Sequence, residues 1–153
     1  MRILFISNND SGLYQFRKEL LVELVKNHDV YIAVPNGEFI PRLQKLGCQY
    51  IPFEFQRRGL NPLADLWQIH RYRNVLRQIS PSVVLTYTIK PNIYGGIACQ
   101  KERIPYIATV TGLGTSIENG GILSRISLAL YKKGLCGAKS VFLQNTTNQK
   151  YFI

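Results

Sequence analysis

The sequence is short of acid. Its 153 residues hold nine Asp and Glu against nineteen Lys and Arg, a formal charge of +10. That balance favours polyanionic partners: nucleic acid, anionic lipid or phosphorylated substrates. Cysteine is scarce and scattered. Cys48, Cys99 and Cys136 form no CxxC pair, which argues against a disulfide framework or a zinc site and for reduced, mostly buried thiols in the cytosol. Histidine is limited to His28 and His70, neither with a carboxylate neighbour or ligand spacing, so no metal and no catalytic histidine are assigned. Long hydrophobic runs are missing too. Nothing reaches the ~18 apolar residues of a membrane span. The opening "MRILFIS" turns polar too soon, and has the wrong flanks, for a signal peptide. A cytoplasmic location is expected.

Nucleotide signatures are equally absent. A dinucleotide fold needs GxGxxG after its first strand, where "SNNDSGLYQF" has one glycine. There is no GxxxxGK[ST] and no GxSxG. "GLGTS" has a GxG but follows a later strand. No cofactor is implied. Nucleic acid is disfavoured as a partner, because the positive charge is dispersed and no recognised binding motif is present.

What is there is regular alternation. "RILFIS", "DVYIAVP", "CQYIPFE", "SVVLTYT", "IPYIATV" and "KSVFLQN" are short β-rich runs, and helical patterns separate them. The first helix is expected to bury Leu13, Phe16, Leu20 and Leu24, with Asp10, Ser11 or Gly12 as its start signal. The clearest helix begins at Asn61, a good N-cap, with Pro62 at its first position and Asp65 near its positive end. Its expected stripe is Leu66, Ile69, Tyr72, Leu76 and Ile79. The last helix offers Ile122, Ile126, Ala129 and Leu130 to the core and leaves Leu128 and Leu135 as surplus. Six such β-runs alternating with helices predict an α/β fold, a Rossmann-like, doubly wound parallel sheet in one domain spanning residues 1–153.

In such folds ligands sit outside the carboxyl ends of the strands. That rule selects five loops rich in Asn, Ser, Thr and Gly: "SNNDSGLY", "PNGE", "TYTIKPN", "TVTGLGTS" and "QNTTNQ". The backbone around Ser11 and Gly12, at a helix N-terminus, can seat an anion, although plain capping by Asp10 or Ser11 explains the same residues. Elsewhere Arg57, Arg58, Arg73 and Arg77, with Trp67, form a basic surface carrying an aromatic. Lys132 and Lys133 flank the last helix. Either surface suits an anionic membrane or is a solvated helix face.

The loops carry a resemblance. "VVLTYTIKPNIYGGIACQKERIPYIATVTGLGTSIEN" resembles the N-terminal half of bacterial family 4 glycosyltransferases of the GT-B fold, above all those that build capsular or O-antigen polysaccharide. "RILFISNNDSGLYQFRKELLVELVKNHDVYIAVP" is similar to that family's first β-α-β unit, and "SVFLQNTTNQKYFI" to its sixth strand and following helix. The resemblance implies an acceptor-binding domain. The donor-binding C-terminal domain, with its Glu-x7-Glu motif, is lacking from this chain, so the chain alone is expected to be inactive. The whole enzyme would move a hexosyl-type sugar, with retention, from a nucleotide-sugar held mainly by that second domain. Its acceptor would be a lipid-linked glycan or oligosaccharide at the inner membrane face, where the enzyme would be peripheral.

By the same resemblance, Asn9, Asp10, Ser11 and Gly12 face donor phosphates or acceptor hydroxyls. Thr88, Lys90, Asn92 and Tyr94 lie on the acceptor side, with Lys90 as the pyrophosphate partner. Thr111, Gly112 and Gly114 bring backbone N–H groups and hydroxyls to the cleft. Asn145 stands where relatives often continue to an Asp that this sequence lacks. No catalytic residue is assigned. The rival readings are an accessory subunit that binds sugar or membrane and works with a separate catalytic chain, and a sugar-nucleotide epimerase half. The second lacks its Gly-Thr-Arg-Pro-Glu start.

Overall fold

The computed structural model describes residues 1–54, 62–112 and 121–144. Six strands form one sheet: β1 (Arg2–Ile6), β2 (Asp29–Val34), β3 (Gln49–Pro52), β4 (Val83–Tyr87), β5 (Tyr106–Val110) and β6 (Ser140–Leu143). All five pairings are parallel, in the order β3-β2-β1-β4-β5-β6. The expected doubly wound α/β sheet is present. β1 lies inside, with Ile3 opposite Val30 on one side and Val83 on the other.

A strand buried on both faces must be apolar, and β1 obeys this from Ile3 to Ile6, after an exposed Arg2. Ile3 and Phe5 enter one core with Leu13, Leu21, Val30 and Ile32. Leu4 and Ile6 enter the other with Tyr72, Val84, Ala108 and Tyr131. The first core is roofed by α1 (Asp10–Leu24) and α2 (Ile40–Lys45). The second is roofed by α3 (Pro62–Ile79), α4 (Gly96–Glu102) and α5 (Gly121–Leu135).

Three helices turn differently from their apolar periodicity. In α1, Leu13 and Leu21 are buried, while Phe16 is 70% exposed and Leu20 also faces out. In α3, Tyr72, Leu76 and Ile79 are buried as expected, but Gln68 takes the inward place and Leu66 is 64% exposed. In α5, Ser127, Tyr131 and Leu135 face in, and Ile122 and Ile126 face out at 79% and 48% exposure; Ala129 is exposed as well.

Glycine accounts for α5. A Cβ on Gly134 would lie 2.6 Å from the Asn92 carbonyl oxygen and the Ile93 Cα, and one on Gly96 would collide with the Gly134 carbonyl oxygen. Backbone meets backbone there, so α5 must present Gly134 inward whatever its apolar residues prefer.

The stretch expected as one helix from Pro91 is two pieces. Pro91–Gly95 is a π-helical turn, and α4 continues it. α4 ends on Arg103, left-handed at φ 56°, without the glycine that marks such an end in sequence.

Candidate functional site

β1 and β4 are neighbours whose following chains leave toward opposite sides of the sheet, which opens a crevice at their carboxyl ends. A groove of about 420 Å³ lies at that rim. Ser7 and Asn9 line it from the β1–α1 turn, Ser11, Gly12, Gln15, Phe16 and Arg17 from α1, Tyr87 from the end of β4 with Thr88 just beyond it, and Thr111 and Gln144 from just after β5 and β6. Four of the five expected loops therefore converge. The fifth, "PNGE", contributes no lining residue and packs instead against Asp10.

Asn9 is the N-cap of α1, one residue before the expected signals. Its Oδ1 accepts from Gly12 N at 2.6 Å and from the Ser11 hydroxyl at 3.3 Å. Asp10 Oδ1 accepts from Ser11 N at 2.9 Å. The two N–H groups offered to an anion by the sequence are thus already engaged by the protein's own oxygens. An incoming anion has to displace Asn9 or use the hydroxyl of Ser11.

Asp10 is a correction. It is only 9% exposed, and its second oxygen accepts from Phe39 N at 2.8 Å, tying the start of α1 to the approach to α2. A carboxylate so held is structural.

Thr88 lines the groove with its backbone at φ 72°, an outlier for a β-branched residue. Its hydroxyl donates to the Tyr87 carbonyl, and its own carbonyl accepts from Asn92 N at 3.0 Å, closing the turn into the π-helical segment. Lys90, half-buried, caps that segment and is outside the groove lining.

Asn92 and Tyr94 are corrections as well. Asn92 is fully buried, accepting from Thr86 Oγ1 at 2.7 Å and donating to the Thr109 carbonyl at 2.9 Å and the Tyr131 hydroxyl at 3.0 Å. Its amide knits β4, β5 and α5 together under the rim. Tyr94 is 2% exposed, and burial first, then its hydrogen bond to Asp65, pushes its hydroxyl far above the ordinary tyrosine range. Gly112 borders open space. Gly114, Asn145, Arg57 and Arg58 lie outside the described residues.

Arg17 is the residue that sequence reasoning missed. Its guanidinium lies 5.0 Å from the centre of the Tyr87 ring, and Tyr87 in turn stacks on Phe5. Burial raises the Tyr87 hydroxyl pKa, and the Arg17 cation partly offsets that rise. The signal was available: Arg17 follows Leu13 by four, so it shares the inward side that the expected stripe gave to Phe16. Ser7, Gln15, Phe16, Tyr87 and Gln144 were missed with it.

The basic surface of α3 is partly engaged within the protein. Arg73 and Arg77 donate to opposite oxygens of Glu102, at 2.6 and 3.0 Å. These bonds, that of Arg77 first, hold the Glu102 carboxyl below its usual range. Two of the expected membrane-facing cations are therefore partnered by a carboxylate. Trp67 remains 59% exposed, with Arg71 stacked 4.8 Å from its ring centre, and Lys132 and Lys133 are exposed on α5. No described helix is long and apolar enough to cross a membrane.

A family model described as "Glycosyl transferase 4-like" matches residues 2–145. Among curated proteins, the chain is 29% identical over 157 residues to the N,N'-diacetylbacillosaminyl-diphospho-undecaprenol alpha-1,3-N-acetylgalactosaminyltransferase of Campylobacter jejuni, covering 99% of this chain and 42% of that protein. It thus spans less than half of that relative. Among solved structures, Anabaena Alr3699/HepE in complex with UDP aligns at TM-score 0.68 and 18% identity, over 99% of this chain and 40% of that one. The UDP-GlcNAc 2-epimerase of Methanocaldococcus jannaschii aligns at TM-score 0.64 and 13% identity, over 99% and 42%. Both likenesses are of fold.

Proposed function

The chain belongs to the glycosyl transferase 4-like family, and from that premise we propose that it is the acceptor-binding, N-terminal half of a nucleotide-sugar-dependent glycosyltransferase of surface polysaccharide assembly. The observation that carries the reading is the rim groove, where Arg17 and the hydroxyls of Ser11, Thr88 and Thr111 line one opening. A guanidinium among hydroxyls and amides suits a phosphorylated sugar, which needs one charge partner and many directional hydrogen bonds. Phe16, exposed at the same opening, offers an apolar wall to a sugar ring or to the first part of a lipid.

In this reading Arg17 holds a phosphate of the acceptor, and Thr88 and Thr111 orient its sugar hydroxyls. Lys90, which stands outside the groove lining, is retained as the partner of the second phosphate. The acceptor is a lipid-linked glycan, as the diphospho-undecaprenol in the Campylobacter relative's name describes for that protein. The nucleotide-sugar is bound by a second domain, transfer retains anomeric configuration, and this half alone transfers nothing. The work takes place at the cytoplasmic face of the membrane.

The test is a pair of binding titrations with the purified protein. A polyprenyl-diphosphate-linked acetamido sugar is expected to bind and to lose at least tenfold in affinity with Arg17→Ala. A UDP-sugar is expected to bind more weakly. Tighter binding of the UDP-sugar, indifferent to Arg17, would overturn the acceptor assignment and favour a donor or epimerase half.

A further inference from the structure

The two faces of the sheet carry different charge. Helices α3, α4 and α5 hold seven Lys and Arg and two acids, whereas α1 and α2 hold four and three. Both acids on the basic side are engaged, Asp65 by the Tyr94 hydroxyl and Glu102 by Arg73 and Arg77. α5 has no acidic residue at all.

Exposed apolar side chains stand on this face as they do on α1, where Phe16, Leu20 and Val22 face out, but here they sit with the larger surplus of cations. Ile122 and Ile126 begin α5, and Leu66 and Trp67 stand near the start of α3. In a parallel sheet the crossover helices run back against the strands, so both helices start at the rim end where the groove opens. α4 and the π-helical turn pack between them. Along the outward side of α5 the order is Ile122, Arg125, Ile126, Ala129, Lys132, Lys133, all exposed. Apolar residues thus stand toward the rim, with cations between and behind them.

We propose that this outward face of α5, with Leu66 and Trp67 of α3 as a second foothold, docks on an anionic lipid bilayer and presents the rim groove to it. A helix lying in the interface needs an apolar side to enter the acyl boundary and cations to meet the headgroups, and α5 has both. Trp67, apolar in body and capped by Arg71, is suited to the headgroup level. A second copy of the chain is the poorer occupant, because self-association would set one cation-rich face against another. The inference rests on the membrane part of the function proposed above. Vesicle binding is read without donor or acceptor, so its failure is distinct from failure of the sugar-transfer reading.

The test is co-sedimentation with phosphatidylglycerol–phosphatidylcholine vesicles and with pure phosphatidylcholine vesicles, alongside the molar mass of the protein in solution. Binding is expected to the anionic vesicles only. The Lys132→Glu, Lys133→Glu double variant should weaken it by at least about 25-fold, at about fivefold per cation removed. The Ile122→Ser, Ile126→Ser double variant should weaken it about tenfold or more, with an unchanged circular dichroism spectrum because both side chains are exposed. Equal binding to phosphatidylcholine, no binding to either vesicle, or unaltered binding by both variants would each overturn the proposal. So would a dimer that the isoleucine variant splits.

Discussion

The amide nitrogen of Asn92 donates to the hydroxyl of Tyr131 at 3.0 Å, across thirty-nine residues of sequence and from the π-helical turn to the last helix. The same amide reaches the backbone of β5 and the Thr86 hydroxyl on β4. One buried side chain therefore sets the height of the rim relative to α5, although it never faces the groove. Asn92→Ala is expected to cost about 3 kcal/mol, because three buried partners lose their bond at once. Urea unfolding measures this, and a loss under ~1 kcal/mol would show that the network is dispensable.

Gly134→Ala is expected to be worse tolerated than any apolar truncation on α5. The new methyl would meet the Asn92 carbonyl at 2.6 Å, backbone that has no room to retreat. Overpacking of this kind costs about 1–3 kcal/mol or more. Thermal unfolding of Gly134→Ala beside Ile126→Ala separates the two, since Ile126 is exposed and its loss should change stability by less than ~0.5 kcal/mol.

Thr88→Gly should move stability and binding in opposite directions. At φ 72° a threonine bears a left-handed penalty of about 1–2 kcal/mol that glycine does not, less the ~0.5–1 kcal/mol of extra chain entropy that glycine loses on folding. A small rise in the unfolding midpoint is expected, together with weaker binding of the phosphorylated acceptor. If binding were unaffected, the strained hydroxyl would have no part in the groove.

High pH should unfold the protein through its buried phenols. Burial raises the Tyr131 hydroxyl from 10.0 to about 12, and the hydrogen bond to Asn92 opposes only part of that rise. An acid held neutral in the fold contributes stability below its unfolded pKa and loses it as pH rises toward the folded value. Stability should accordingly decline between about pH 10 and 12. Tyr131→Phe should flatten that decline only in part, because Tyr72 and Tyr94 are raised as well. Denaturant titrations at stepped alkaline pH measure the slope.

The sheet was legible because its inner strands are short apolar runs between turn residues, and burial on both faces demands that pattern. The rim followed from topology. Helix orientation was less legible, since apolar spacing cannot see a glycine that forces backbone contact, and so Ile122 and Ile126 were turned inward while Gly134 went unnoticed. The site was half visible for a related reason. "TYTIKPN" and "TVT" announce themselves by composition, yet within "KPN" and the following tyrosine the buried Asn92 and Tyr94 look the same as rim residues. Arg17 was hidden by its neighbour, the more hydrophobic Phe16.

The strand order also bears on how the chain is made. β1 leaves the ribosome ahead of the other five strands but lies inside the sheet, and its second neighbour, β4, begins about 80 residues later. Until then one edge of "RILFI" has N–H and C=O groups with no strand to meet, on a segment apolar enough to pair with a stranger. The three-stranded piece β1-β2-β3 must wait in that state for its closing partner. A ribosome pausing before β4 has emerged from it would prolong the wait, whereas a pause once β4 is clear would leave the central ladder free to close.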